Sequence, residues 1–109
     1  MTILIKDRSL QSMIGQKVAG NGVIVRVSRV NRPNGTTVLF VVDKPVLVAG
    51  RRVMQIDHLS LSVPCWSKLN QRLIRVGQRV AFEGIISNYE RANGTIGTGI
   101  PELAFLVGA

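Results

Sequence analysis

The chain has 109 residues, 46% of them apolar and supplied mainly by Val, Leu and Ile, which allows one domain with one core and leaves no room for a separate catalytic lobe. Fourteen Lys and Arg stand against six Asp and Glu, a formal net charge of +8 whose field favours polyanions, with nucleic acid ahead of anionic membrane surfaces and acidic proteins. The lone Cys65 rules out an intramolecular disulfide or a cysteine-built zinc site. No apolar run is longer than a strand and Ile3-Leu4-Ile5 is too short for a secretory core, so a soluble cytoplasmic protein with no membrane contact is expected.

Residues 1–15 read as an amino-terminal extension or short helix, with Asp7 as cap and Leu10, Met13 and Ile14 turned to the core. From Gln16 to Val30 the pattern alternates, Val23, Val25 and Val27 on one face and Ile24, Arg26 and Ser28 on the other. Gly20-Asn21-Gly22 suits a bulge, which a long first strand needs if it is to serve both halves of a barrel. Asn31-Arg32-Pro33-Asn34-Gly35 has the composition of a hairpin loop. The second strand, Thr36 to Asp43, sets Val38, Phe40 and Val42 against Leu39 and Val41, so both faces are apolar and each is partly covered or meets another chain. Pro45 bends the run, and Val46-Leu47-Val48 carry it on to a turn at Gly50-Arg51-Arg52.

The third strand has the clearest alternation, Leu59, Leu61 and Val63 against His58, Ser60 and Ser62, and Pro64 ends it. Trp66, Leu69, Leu73 and Ile74 fall near helical spacing, as in one short helix plugging a barrel end. A turn on Gly77 launches a fourth strand from Gln78 to about Tyr89; Arg91 to Gly99 reads as a flexible loop, and Glu102 to Val107 as the closing strand. Three strands, a short helix and two strands is the order of a mainly-β, five-stranded OB-fold Greek-key barrel, one domain over residues 1–109.

The run Arg75-Val-Gly-Gln-Arg-Val-Ala-Phe-Glu-Gly84 resembles the segment of bacterial single-stranded DNA-binding proteins in which a Lys-Gly or Val-Gly turn precedes a Val-x-Val-Glu-Gly-like strand. It covers about a tenth of the chain, whose sequence lacks the amino-terminal strand motif and the acidic tail of that family. The resemblance implies an OB fold more strongly than a function, because OB barrels also bind sugars and proteins. It places the ligand face on strands two and three with two flanking loops, here Arg29 to Gly35 and Glu90 to Gly99.

Single strands are held by cations that follow the phosphates and by aromatic rings on which bases stack, each stack worth roughly 1–3 kcal/mol. The candidate nucleic-acid-binding residues are Arg29 and Arg32 in the first loop, Tyr89 and Arg91 at the second, Arg26 and His58 on the polar strand faces, and Lys44, Arg51 and Arg52 around the bend and turn. Any one of these cations taken alone is a solvated surface charge, so the case rests on their clustering. Lys68, Arg72, Arg75 and Arg79 form a second basic group. Of the aromatics, Phe82 and Phe105 are expected in the core, Trp66 anchors the short helix, Phe40 is open, and Tyr89 is the stacking candidate or an edge cover.

His58 is the only histidine, and strand alternation puts Asp57 on the opposite face. With no Ser-His-Asp set, P-loop, dinucleotide fingerprint or carboxylate pair to be read, neither catalysis nor a cofactor is expected. The leading expectation is a single-stranded DNA- or RNA-binding protein, accessory to replication, recombination or plasmid and phage biology. The alternative is an assembly module, a homo-oligomer or a complex with another protein, that pairs through strand 36–48. A third is an SH3-like or translation-factor-like barrel on structured RNA.

Overall fold

The computed structural model describes residues 3–5, 10–33, 35–64, 74–90, 94–101 and 103–109, with only the backbone of 3–5, Arg32 and Pro64. Among these residues alternation yields nine strands: β1 (Ile3–Ile5), β2 (Lys17–Arg32), β3 (Gly35–Ala49), β4 (Arg52–Ile56), β5 (His58–Pro64), β6 (Arg79–Ile85), β7 (Ser87–Glu90), β8 (Ile96–Gly99) and β9 (Leu103–Gly108). The main sheet runs β1-β4-β3-β2-β6-β9, with β5 also on β3, while β7 and β8 form a separate hairpin. The expected helix over 66–74 lies outside the described residues except for the buried Ile74. No helix among the described residues is long and apolar enough to cross a membrane.

The count exceeds five because long strands bend and divide. β3 pairs with β5 over Thr37–Asp43 and with β4 over Val46–Ala49, parting from one partner to the other at Lys44-Pro45. The hairpin arm β4 and the strand β1, parallel to it, were not legible in the sequence. The expected fourth strand breaks at Ile86, whose N–H donates to the Gln16 carbonyl while its carbonyl accepts from Gly15 N–H. The stretch read as the loop Arg91 to Gly99 instead ends in β8, which pairs back on β7. Gly77, at φ 91, makes the expected turn before β6.

The strand ladder does not close into a five-stranded barrel. Instead β5 meets the segment just after β8 at one parallel bridge, Leu61 to Ile100. Ser62 N–H donates to Ile100 O and Ile100 N–H to Ser60 O, both at 3.0 Å. The Ser62 hydroxyl, in a buried residue, donates to the Pro101 carbonyl and fastens the same seam.

One core joins the inward faces: Val18 and Ile24 of β2, Val38, Phe40, Val42 and Leu47 of β3, Leu59, Leu61 and Val63 of β5, and Val80 and Phe82 of β6. Leu10 and Met13 cover one end through a single 3-10 turn, Gln11–Met13. Ile14 points out instead of in, and Asp7 lies outside the described residues.

Two inward readings are corrected. A register shift falls at Gly20-Asn21-Gly22, but its extra residue is on β3, where Lys44 and Pro45 stand opposite the single Gly22, and β2 pairs regularly with β6 there; the bulge in β2 itself lies between Ile24 and Arg26 and leaves Val25 without a partner on β3. Ile24 is drawn over the core because its backbone bonds the Gly77-Gln78 turn, so Ile24 is buried and Val25 exposed. On β9 a shift at Glu83/Gly84 makes Ala104 the extra residue, so Leu103 and Leu106 turn inward and Phe105 outward. Phe82 packs in the core as expected, and Phe40 joins it.

β3 is the central strand, with β2 on one edge and β5 then β4 on the other. It has no free edge to offer, so recruitment of another chain by strand pairing along 36–48 is overturned. The apolar character of its second face has another use, described below.

Candidate nucleic-acid interface

Residues paired across antiparallel strands share a face. Because Val38, Phe40 and Val42 face the core, the residues between them face out. Their partners on β2 and β5 then form rows on one outer surface. The central row is Arg26–Val41–Ser60, the next is Ser28–Leu39–Ser62, and Asp43–His58 lies beyond the first. Val41 and Leu39 are half-buried, a shallow aliphatic floor between the exposed Arg26 and Ser28 on one side and the β5 serines on the other.

The β7–β8 hairpin walls this surface on its β5 side. Tyr89 pairs with Gly97 and Ser87 with Gly99, so ring and glycines share one hairpin face. A Cβ on Gly99 would run into the Ser60 carbonyl oxygen and lie 3.3 Å from the Tyr89 ring. The absence of side chains at 97 and 99 thus lets the hairpin lie against β5 with the half-buried Tyr89 ring at the end of the Arg26–Val41–Ser60 row. On the other hairpin face Thr98 Oγ1 donates to Asn88 Oδ1 at 3.2 Å.

Lys44 stands at the Asp43–His58 end and is the one non-glycine among the described residues with positive φ, at 43. Its N–H donates to Asp57 O and its carbonyl accepts from Gln55 Nε2, both at 2.9 Å. These bonds hold the left-handed residue at the bend, its side chain exposed.

His58 and Asp57 are closer than strand alternation allows, with Nδ1 3.4 Å from Oδ2. Asp57 sits in the bend between β4 and β5, where the alternation is broken. The pair is exposed, and Asp43 lies across from His58, so this end of the surface carries two carboxylates as well as Lys44 and His58.

The other expected cations divide. Arg29 pairs with the inward Val38 and so stands on the opposite face from Arg26, exposed where β2 runs past the core. The expected loop Arg29 to Gly35 is mostly strand, since pairing continues to Arg32–Gly35 and Thr36 Oγ1 donates to Asn31 Oδ1 at 3.0 Å. Arg51 and Arg52 lie at the far tip of the β3–β4 hairpin, away from the Arg26 row. Arg91 lies outside the described residues, as do Lys68 and Arg72 of the second basic group. Arg75 and Arg79 are exposed around the Gly77 turn.

Structure therefore brings together Arg26, Lys44, His58 and Tyr89, and adds Val41, Leu39, Ser60 and Gly99, which sequence reasoning did not select. A trace of the last was available in Gly97-Thr-Gly99, whose period of two marks a bare strand face.

No family model and no curated protein matches the chain. Solved structures do match in shape. One is a small single-stranded DNA-binding protein from Streptomyces coelicolor, at 11% identity and TM-score 0.61, covering 87% of this chain and 93% of that one. Another is the mitochondrial single-stranded DNA-binding protein Rim1 from S. cerevisiae, at 17% identity and TM-score 0.53, covering 88% and 96%. The likeness establishes the fold: this chain is built on the OB-type plan of single-stranded DNA-binding proteins.

Proposed function

We propose that the chain binds single-stranded nucleic acid, DNA first, without catalysis, on the outer surface of β2, β3 and β5. The observation that carries this reading is the Arg26–Val41–Ser60 row ended by Tyr89. It supplies a cation for phosphate, an aliphatic floor for sugars and base faces, and one ring for stacking. The shape shared with the Streptomyces and yeast proteins supports it. Lys44 and His58 extend the cationic path past the central row, while Asp43 and Asp57 limit it there. Arg29, Arg32 and Arg91 act as outer clamps on longer strands, and Arg51 and Arg52 engage only a strand that wraps the β3–β4 tip. Binding of this kind, with a single ring and backbone charge, has little sequence preference and suits an accessory role in replication or recombination within the cytoplasm.

The test is fluorescence anisotropy with labelled single-stranded DNA, duplex DNA and RNA of equal length at several salt concentrations. Single-stranded DNA is expected to bind most tightly, with log affinity falling against log salt by about 0.7 per phosphate contacted. Tyr89→Ala is expected to cost roughly 1–3 kcal/mol, and Arg26→Ala to flatten the salt slope by about 0.7. Failure to bind any single strand at low salt would overturn the proposal; equal or tighter binding to duplex would point to a different nucleic-acid ligand.

A further inference from the structure

The bulge in β2 builds a second patch beside the Arg26 row. Alternation from the buried Ile24 turns Val25 outward, and pairing with Val41 turns Arg26 outward as well, so two consecutive residues stand on the outer surface. Val23 faces out too, in the row Arg79–Val23–Asp43–His58 across β6, β2, β3 and β5. Here the neighbour of β2 changes. β6 pairs with it only as far as Val23–Arg79, and at Ile24 the Gly77 turn takes over, with Gly77 N–H donating to Ile24 O at 2.7 Å and Ile24 N–H to Gln78 O at 2.9 Å. Arg75 Nη2 donates to Gln78 Oε1 at 3.4 Å, which ties that guanidinium to the same turn. Val76, between them, is 65% exposed, the highest value for a large hydrophobic residue among the described ones, and Val25 is 48% exposed. Neither valine belongs to the core, which leaves the aliphatic surface of both for a ligand.

We infer that this patch is a second subsite for the same single strand, taking the nucleotides that run on past Arg26; the inference rests on the single-strand reading above and extends it. Arg75 and Arg79 meet phosphates, and Val25 and Val76 give sugars and base faces an aliphatic shelf. Charge selects a polyanion here. No Asp or Glu lies between Asp7 and Asp43 or between Asp57 and Glu83, and the two segments that meet at the bulge, β2 and the turn with the start of β6, fall wholly inside those stretches. The carboxylate that shares a row with Arg79 is Asp43, on the far side of β2 and two strand spacings, about 10 Å, away. Continuity selects nucleic acid over an acidic peptide. The step from β2 to the turn is one hydrogen-bonded spacing, as are the steps from Ser60 to Val41 and from Val41 to Arg26. Cations and aliphatic floor therefore follow one line from Tyr89 across β5, β3 and β2 to the turn.

The full chain is titrated with labelled oligothymidylates of roughly 4 and 15 nucleotides, the range of a single OB site, by fluorescence anisotropy at several salt concentrations. The longer strand is expected to bind more tightly and with the steeper salt slope. Arg75→Ala together with Arg79→Ala is expected to shrink the difference in slope between the two lengths by about 1.4, two contacts at about 0.7 each. Val25→Ser together with Val76→Ser is expected to weaken binding of the longer strand by about fivefold with its slope unchanged, a loss of aliphatic contact that charge at a distance does not produce. All four side chains are exposed; circular dichroism confirms that the variants are folded, and if one pair is not, the other is read. A longer strand that gains nothing over the shorter, or that is indifferent to the folded variants, overturns the inference and leaves the Arg26 row standing. So does a loss from the arginine pair that is equal at both lengths while the valine pair has no effect, since that is long-range attraction alone. A chain that binds neither length at low salt defeats the nucleic-acid proposal along with this one.

Discussion

At the scale of single residues, Lys44 joins strain to position. An L-residue in the left-handed region costs roughly 1–2 kcal/mol, and here the cost falls on an exposed lysine at the end of the proposed ligand surface. Lys44→Gly removes the strain and the charge together. Its expected outcome is stability unchanged or raised by up to about 1 kcal/mol in chemical denaturation, with weaker binding of single-stranded DNA and a salt slope smaller by about 0.7. Undiminished affinity would take Lys44 off the strand's path. The identity of Lys44 as a candidate was legible in the sequence, since it flanks Pro45. Its left-handed conformation was not, because that depends on the Lys44 N–H donating to the Asp57 carbonyl and on a bond from Gln55 Nε2, residues brought back to the bend by β4 and the turn after it.

At the scale of elements, two contacts hold the surface in shape. The β7–β8 hairpin lies on β5 because Gly99 lets the backbone approach the Ser60 carbonyl. Gly99→Ala is expected to cost about 1–3 kcal/mol, as overpacking does, and to lower single-strand affinity by shifting Tyr89; a stability change without an affinity change would show that the ring does not touch the strand. The seam between β5 and the segment joining β8 to β9 rests on the Leu61–Ile100 bridge and the bond from Ser62 to Pro101. Ser62→Ala is expected to cost about 1 kcal/mol in denaturant unfolding and to speed amide exchange at Ser62 and Ile100. Strand existence was readable wherever alternation was clean, as in Leu59, Leu61 and Val63, all buried. It failed at β4 and β8. Arg52-Val-Met-Gln-Ile and Ile96-Gly-Thr-Gly carry too few alternating apolar residues to declare themselves, and each is a strand only because a neighbouring strand supplies its hydrogen bonds.

At the scale of the whole molecule, net charge acts on folding and binding with opposite signs. Self-repulsion in a chain of +8 opposes compaction, so moderate salt is expected to raise the midpoint of thermal unfolding by a few degrees while lowering affinity for single-stranded DNA. A midpoint that fell with salt would mean that local ion pairs, and not net repulsion, dominate. Charge, strand content and the core residues of the cleanest alternation, Leu59, Leu61 and Val63, were determined by the sequence alone, because composition and period two survive without knowledge of neighbours. Which surface each cation serves was decided by tertiary structure. The extra residue at Val25 reverses inside and outside for the rest of β2, so Ile24 faces the core while Arg26, two positions on, stands on the outer face. The extra residue at Ala104 likewise turns Phe105 from the core to the outside, while Leu103 and Leu106 face inward. A bulge moves every later side chain to the other face, and its location is set by how two strands far apart in sequence meet.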